Sequence, residues 1–131
     1  MSRPTIGSRQ GDVRHLFKGL GFTGTVEPGP AGVRWLGQAA SRKLAVEIEG
    51  EPVRRVSLSV PAAAGAGVIV GQFLNQFADQ AAREWATSVL ARFGDDPSSA
   101  LDEAHDAGDV RVRLQSMLPL LVVTVEARTD G

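Results

Sequence analysis

Residues 44–61 read LAVEIEGEPVRRVSLSVP, two alternating runs joined by Glu49, Gly50, Glu51 and Pro52. In the first run Leu44, Val46 and Ile48 fall on one side and Ala45, Glu47 and Glu49 on the other. In the second, Val56, Leu58 and Val60 oppose Arg55, Ser57 and Ser59. A period of two residues belongs to a β-strand with one buried face. A short link containing Gly and Pro between two such strands predicts an antiparallel hairpin. The sheet built on it has one apolar face that must be covered and one polar face that carries charge.

Outward from this hairpin the pattern is extended on both sides. Upstream, VRWLGQA at 33–39 predicts another strand, whereas TGTVEPGPAG at 23–32 holds three glycines and two prolines and predicts a loop. Residues 8–20 place Val13, Leu16, Phe17 and Leu20 at helical spacing, with Ser8 or Asp12 as caps and Gly21 as a stop. Downstream, residues 68–93 carry the longest helical pattern: Phe73, Leu74, Phe77, Ala81 and Trp85 oppose Gln72, Gln76, Asp79, Gln80 and Arg83. Leu90 rotates onto the polar side and Glu84 falls among the aromatics, which predicts a bend or break near residues 80–83. Gly94 closes the helix. A last hairpin follows, with Val110, Val112 and Leu114 inward, Arg111 and Arg113 outward, and a turn at 117–119. Its second strand is LLVVTVEAR at 120–128, where Leu121, Val123 and Val125 alternate with Thr124 and Glu126.

The expectation is a single α+β domain over residues 1–131, with 1–7 and 129–131 as flexible tails. Its order is α-β-β-β-α-β-β: an antiparallel sheet of about five strands, one long helix packed on one face, and a short N-terminal helix. That order is similar to the arrangement of type III secretion chaperones and related small bacterial α+β proteins. The resemblance implies a dimer that holds another chain. It is one of element order, without a shared motif, and the chain departs from it in having no clear helix after Arg128 and no strong acidity.

Composition excludes several classes of function. Fourteen Lys and Arg stand against 15 Asp and Glu, so there is no net field to draw the chain to nucleic acid or an anionic membrane. With no cysteine there is no disulfide, no thiolate catalysis and no cysteine-ligated zinc. The stretch MSRPTIGSRQGDVRHLF lacks the apolar core of a signal peptide, and no run approaches the roughly 18 to 20 apolar residues of a spanning helix. The default location is the cytoplasm; an exported protein lacking its leader would read the same way. The preference for Arg over Lys, 12 of 14, with abundant Ala and Gly, is a bacterial-like composition and carries no functional weight.

Residues 95–109, DDPSSALDEAHDAGD, contain the letters of a helicase phosphate-handling box. That box works at the end of a buried strand and beside a GxxxxGK[ST] loop. Here Asp102 to His105 follow Asp96 and Pro97, a cap and first-turn proline, and are expected in a short surface helix ending at Gly108. The glycine-rich stretch GAGVIVG at 65–71 lacks the phosphate-binding lysine. On a continuous helix Asp102, His105, Asp106 and Asp109 would share one face and could hold a divalent metal. A solvated acidic turn accounts for them more simply, and neither a metal nor a cofactor is expected. There is no G-x-S-x-G elbow, and His15 and His105 are expected on separate short helices, so no catalytic group is assigned.

The polar sheet face is the distinctive feature. Glu47, Glu49, Arg55, Ser57, Ser59, Arg111, Arg113, Thr124, Glu126 and Arg128 gather there if the strands form one sheet. Cross-strand ion pairs suffice to explain such a face. The functional reading is a partner site bearing Arg55, Arg111 and Arg113, since the planar guanidinium binds carboxylates and still stacks. Another protein, or a second copy in a homodimer, suits a face without aromatics better than nucleic acid or a membrane. The expected function is a non-catalytic protein-binding module, adaptor or chaperone-like. The alternative is a small-molecule or lipid carrier or sensor, with an apolar pocket between helix and sheet lined by Trp35, Phe73, Phe77 and Trp85.

Overall fold

The computed structural model describes residues 5–29, 32–39, 43–62, 65–95, 100–117 and 119–128, with the backbone alone at 94 and 95. Helix α1 (Gln10–Gly19) leads into a meander of β1 (Thr23–Gly29), β2 (Gly32–Ala39), β3 (Leu44–Glu49) and β4 (Arg55–Pro61). Helices α2 (Ala66–Phe77) and α3 (Gln80–Asp95) follow. A second meander, β5 (Asp102–Ala107), β6 (Val110–Met117) and β7 (Leu120–Ala127), completes the chain. All seven strands form one antiparallel sheet in the order β1-β2-β3-β4-β7-β6-β5. The α+β class and antiparallel sheet are as expected; five strands and one long helix are corrected to seven strands and, among the described residues, three helices. The element order behind the chaperone resemblance is corrected with them.

The alternation read at residues 44–61 sets the inner face. Ile48, Val56, Val125 and Val112 lie side by side across β3, β4, β7 and β6, and all four are 0% exposed. Val46, Leu58, Val123 and Leu114 form the next row and are at most 4% exposed. Each such branched side chain contributes on the order of 1.5–3 kcal/mol by leaving water. The helices cover this face: Phe17 of α1 stacks on Phe77 of α2, and Trp85 of α3 stacks on His105, the inward residue beside Val112.

Two segments expected elsewhere are edge strands. Residues 23–29 were expected as loop because of their Gly and Pro, yet Thr23, Thr25 and Glu27 alternate with Gly24 and Val26 and pair along β2. Pro28 is tolerated because β1 is an edge, where a missing N–H need not break a ladder. The expected surface helix at 102–107 is also a strand, β5. Gly108, read as a helix stop, instead takes φ +61° in a two-residue turn between Ala107 and Val110.

The long helix is two helices because Asp79 caps the second. Its Oδ1 accepts the Ala82 N–H at 2.8 Å, as an N-cap carboxylate does. The break therefore comes at Ala78 and Asp79, just before the expected 80–83, and resets the helical phase. Phe73, Leu74 and Phe77 are buried as read, but in α3 the buried residues are Ala82, Ala86 and Val89; Ala81 is exposed and Trp85 half-buried.

Helix α1 has no side-chain cap of its own; Ser8 Oγ accepts the Thr5 N–H instead. The Glu51 carboxylate, from the β3–β4 turn, accepts the Gln10 N–H at 3.2 Å, placing negative charge at the helix N-terminus. The fully buried Gln10 carboxamide donates to the Val33 and Gly50 carbonyls at 2.9 and 3.0 Å. Of the expected tails, residues 1–4 and 129–131 lie outside the described residues, while Gly7 N–H donates to the Val53 carbonyl at 2.8 Å. Among the described residues no helix is long and apolar enough to cross a membrane.

Candidate functional site

Among the described residues no helix lies on the outer face of the sheet, and the register organises that face into rows. One row runs the width of the sheet: Glu27, Arg34, Glu49, Arg55, Glu126, Arg111 and Asp106, one residue from each strand, alternating in sign. Alternation of this kind lets each side chain meet an opposite charge directly across the ladder. Arg55 reaches Glu49 at 2.6 Å and Glu47 at 3.6 Å. Arg34 pairs with Glu27 and reaches Glu47 at 3.5 Å. Arg111 holds Asp106 at 2.9 Å, and Arg113 grips Asp102 through two nitrogens, each at 2.9 Å.

The protonation states follow from these contacts. The Arg113 hydrogen bonds hold the Asp102 carboxyl below the ordinary aspartate range, and those of Arg111 do the same for Asp106. Glu47 goes the other way: burial raises it, and Glu49 beside it adds to the rise, against the pull of Arg55 and Arg34.

Beyond the charged row the same face turns apolar. Ala45, Ser59, Val122 and Gln115 lie side by side on β3, β4, β7 and β6, followed by Pro61, Leu120 and Met117. Met117 is 61% exposed, and Leu120, Val122 and Pro61 are half-buried. Arg55, Arg111 and Arg113 thus do share one face, each engaged in a cross-strand ion pair, at the side of this apolar field. Two features escaped the sequence reading. Glu27 was hidden because β1 was read as loop, and Arg34, on the strand read at 33–39, was left without its cross-strand partner. The apolar field was legible in the run LLVV at 120–123, in which both faces of one strand are apolar.

The pocket residues do not come together. Trp35 is 1% exposed on the inner face of β2, its ring lying against Gly37 and Gly24, and Trp85 sits over β5, at the far edge of the sheet. Phe73 and Phe77 do border a cavity of about 380 Å³ between α1, α2, β3 and β4. Phe17 and Phe22 share its wall, and Leu44 and Leu58 line it from the sheet.

The acidic stretch is distributed by the strand rather than gathered. Asp102 and Asp106 point outward with Ala104, whereas Glu103 and His105 face inward, so the helical face of four ligands does not form. Asp109 sits in the turn. Among the described residues no group of three His, Asp or Glu is placed to hold a metal. His15 is exposed on α1, and His105 is on a strand rather than a helix. The glycine-rich residues 65–71 open α2, but β4 before it and β5 after it are not parallel neighbours, as a phosphate-binding βαβ unit would require. Comparison of the chain with protein-family models, with curated proteins and with solved structures returned no match.

Proposed function

We propose that the domain is a non-catalytic protein-binding module that engages another protein over the open face of its sheet. One observation carries this reading: the helices cover the inner face, and the outer face sets an apolar field of Val122, Leu120, Pro61 and Met117 on the same surface as the charged row. An apolar centre with a polar rim is the anatomy of a protein interface. In that arrangement Arg55, Arg111 and Arg113 are rim residues that favour one approach of the partner and disfavour others. The near balance of charge suits a protein partner better than a polyanion.

The test uses the purified chain and a partner isolated with it. Sedimentation first establishes whether that partner is a second copy. Affinity is then measured for the wild type, for Met117→Asp and for Leu120→Asp, after circular dichroism has established that each is folded. A charge placed in the apolar field should weaken binding at least tenfold. Unchanged affinity in both variants overturns the reading.

A further inference from the structure

The cavity between α1, α2 and the sheet lies on the opposite side of the sheet from the open face. This cavity of about 380 Å³ opens to solvent beside the exposed Leu20 and Gln72 and has an apolar, ring-lined floor. Phe17, Phe22, Leu44, Leu58 and Phe73, inward residues of four elements and a connecting turn, each keep 3–5% exposure, and each borders this one space.

We propose that this cavity binds one small, uncharged, mainly apolar molecule. Its size sets the scale: it is roughly two and a half times an apolar cavity of 150 Å³ that takes benzene, which suits a body of about 10–15 non-hydrogen atoms. Its chemistry sets the class, because among the described residues no Asp, Glu, Lys or Arg lines it. A carboxylate or ammonium drawn down to the ring-lined floor would lose hydration and find no counter-charge among those residues. Among the described residues the polar side chains at the cavity are the carboxamides of Gln72 and Gln76, four residues apart on one face of α2. The exposed Gln72 carboxamide both donates and accepts, so it suits a hydroxyl, carbonyl or ether at one end of an otherwise apolar ligand. The rings favour a flat or flexible apolar body: Phe73 and Phe77 tilt by 42° at 5.0 Å, and Phe17 stacks on Phe77 at 5.8 Å.

The experiment titrates the full chain with N-phenyl-1-naphthylamine, an uncharged apolar fluorophore. The wild type should bind it saturably, one to one, with a raised melting temperature, since a ligand of the folded state stabilises that state. Ile69→Trp fills the cavity from α2 and should weaken binding at least tenfold. Val68→Trp, at the neighbouring position that is 66% exposed and outside the cavity, should leave it unchanged. Should Ile69→Trp not fold, Leu16→Trp fills the same space from α1. Decan-1-ol should displace the fluorophore, and decanoate at pH 8 should do so at least tenfold less well. No saturable binding by the wild type, equal binding by a folded cavity-filling variant, or equal displacement by decanoate overturns the proposal.

Discussion

The indole of Trp35 occupies the space that a Cβ on Gly37 would need, and it does the same above Gly24, whose added Cβ would stand 2.7 Å from Trp35 Cε2. The two glycines face each other across β1 and β2 and form a recess into which the ring is laid. Gly37→Ala should therefore destabilise the domain by about 1–3 kcal/mol, as overpacking of a closed core does. Gly19→Ala, in a helix with nothing within 4 Å of the new atom, should be neutral or mildly stabilising. Thermal denaturation of both variants checks the pair, and equal melting temperatures would contradict the recess.

The same relationship shows what the sequence could and could not disclose. Alternation located β2, β3, β4, β6 and β7, because a buried strand displays its period in its own residues. It did not reveal that Trp35 is buried against backbone, since the glycines that admit it lie on the strand itself and on a neighbour read as loop. The edge strands were illegible for a related reason: β1 and β5 bury little, and Gly, Pro, Asp and His satisfy an edge as readily as a turn. The break at Asp79 was written in a capping residue, but it was sought in the hydrophobic stripe. On the outer face the three arginines were found by alternation, whereas the apolar field beside them needed the register of β4, β6 and β7.

Strand register makes neighbouring residues unequal. Leu58 is 4% exposed among Val46, Val123 and the cavity wall, so Leu58→Asp buries a charge with no partner and should unfold the domain. Ser57 lies on the outer face with Glu47 directly across, so Ser57→Lys should be tolerated although it costs the Ser57–Thr124 hydroxyl contact at 3.0 Å. Similar urea midpoints for the two variants would refute the register.

Acid should act on the outer face in two directions. Glu47, raised in the folded state, gives a contribution that is present below its unfolded value and lost as pH rises through the folded one. Asp102 and Asp106, lowered in the folded state, contribute above the unfolded aspartate value and lose that contribution as pH falls through the folded one. Glu47→Gln mimics the protonated form, so its stability relative to wild type should be more favourable at pH 7 than at pH 4. Asp102→Asn should show the reverse, a penalty present at pH 7 that shrinks in acid. Urea denaturation at the two pH values reads both signs, and a common sign for the two variants would refute the assignment.

Strand β5 meets α3 through, among others, the Trp85–His105 stack with ring centroids 5.2 Å apart and the Arg92–Glu103 ion pair at 3.0 Å. Its inward residues are only half-buried, so this edge should open before the centre of the sheet. Trp85→Ala should speed amide hydrogen exchange across β5 while leaving β4 and β7 at the wild-type rate. A uniform acceleration would place Trp85 in the global core instead.

The three arginines should respond differently to truncation although they occupy one face. Arg111 and Arg113 pair with Asp106 and Asp102, all four side chains being about half-exposed, so each aspartate can return to water when its partner is removed. Arg111→Gln and Arg113→Gln should leave the melting temperature nearly unchanged. Arg55 holds Glu49, whose side chain is only 11% exposed and which stands beside the raised carboxyl of Glu47. Arg55→Gln strands that carboxylate and should cost about 1–3 kcal/mol, the penalty for leaving a buried group without its partner. Replacing Glu49 by Gln as well should recover part of the loss, because the stranded charge is then gone. Calorimetry of the single and double variants reads this coupling. If Arg55→Gln behaves like Arg111→Gln, Glu49 is satisfied without Arg55, and the charged row is three independent surface pairs rather than a ladder anchored at its centre.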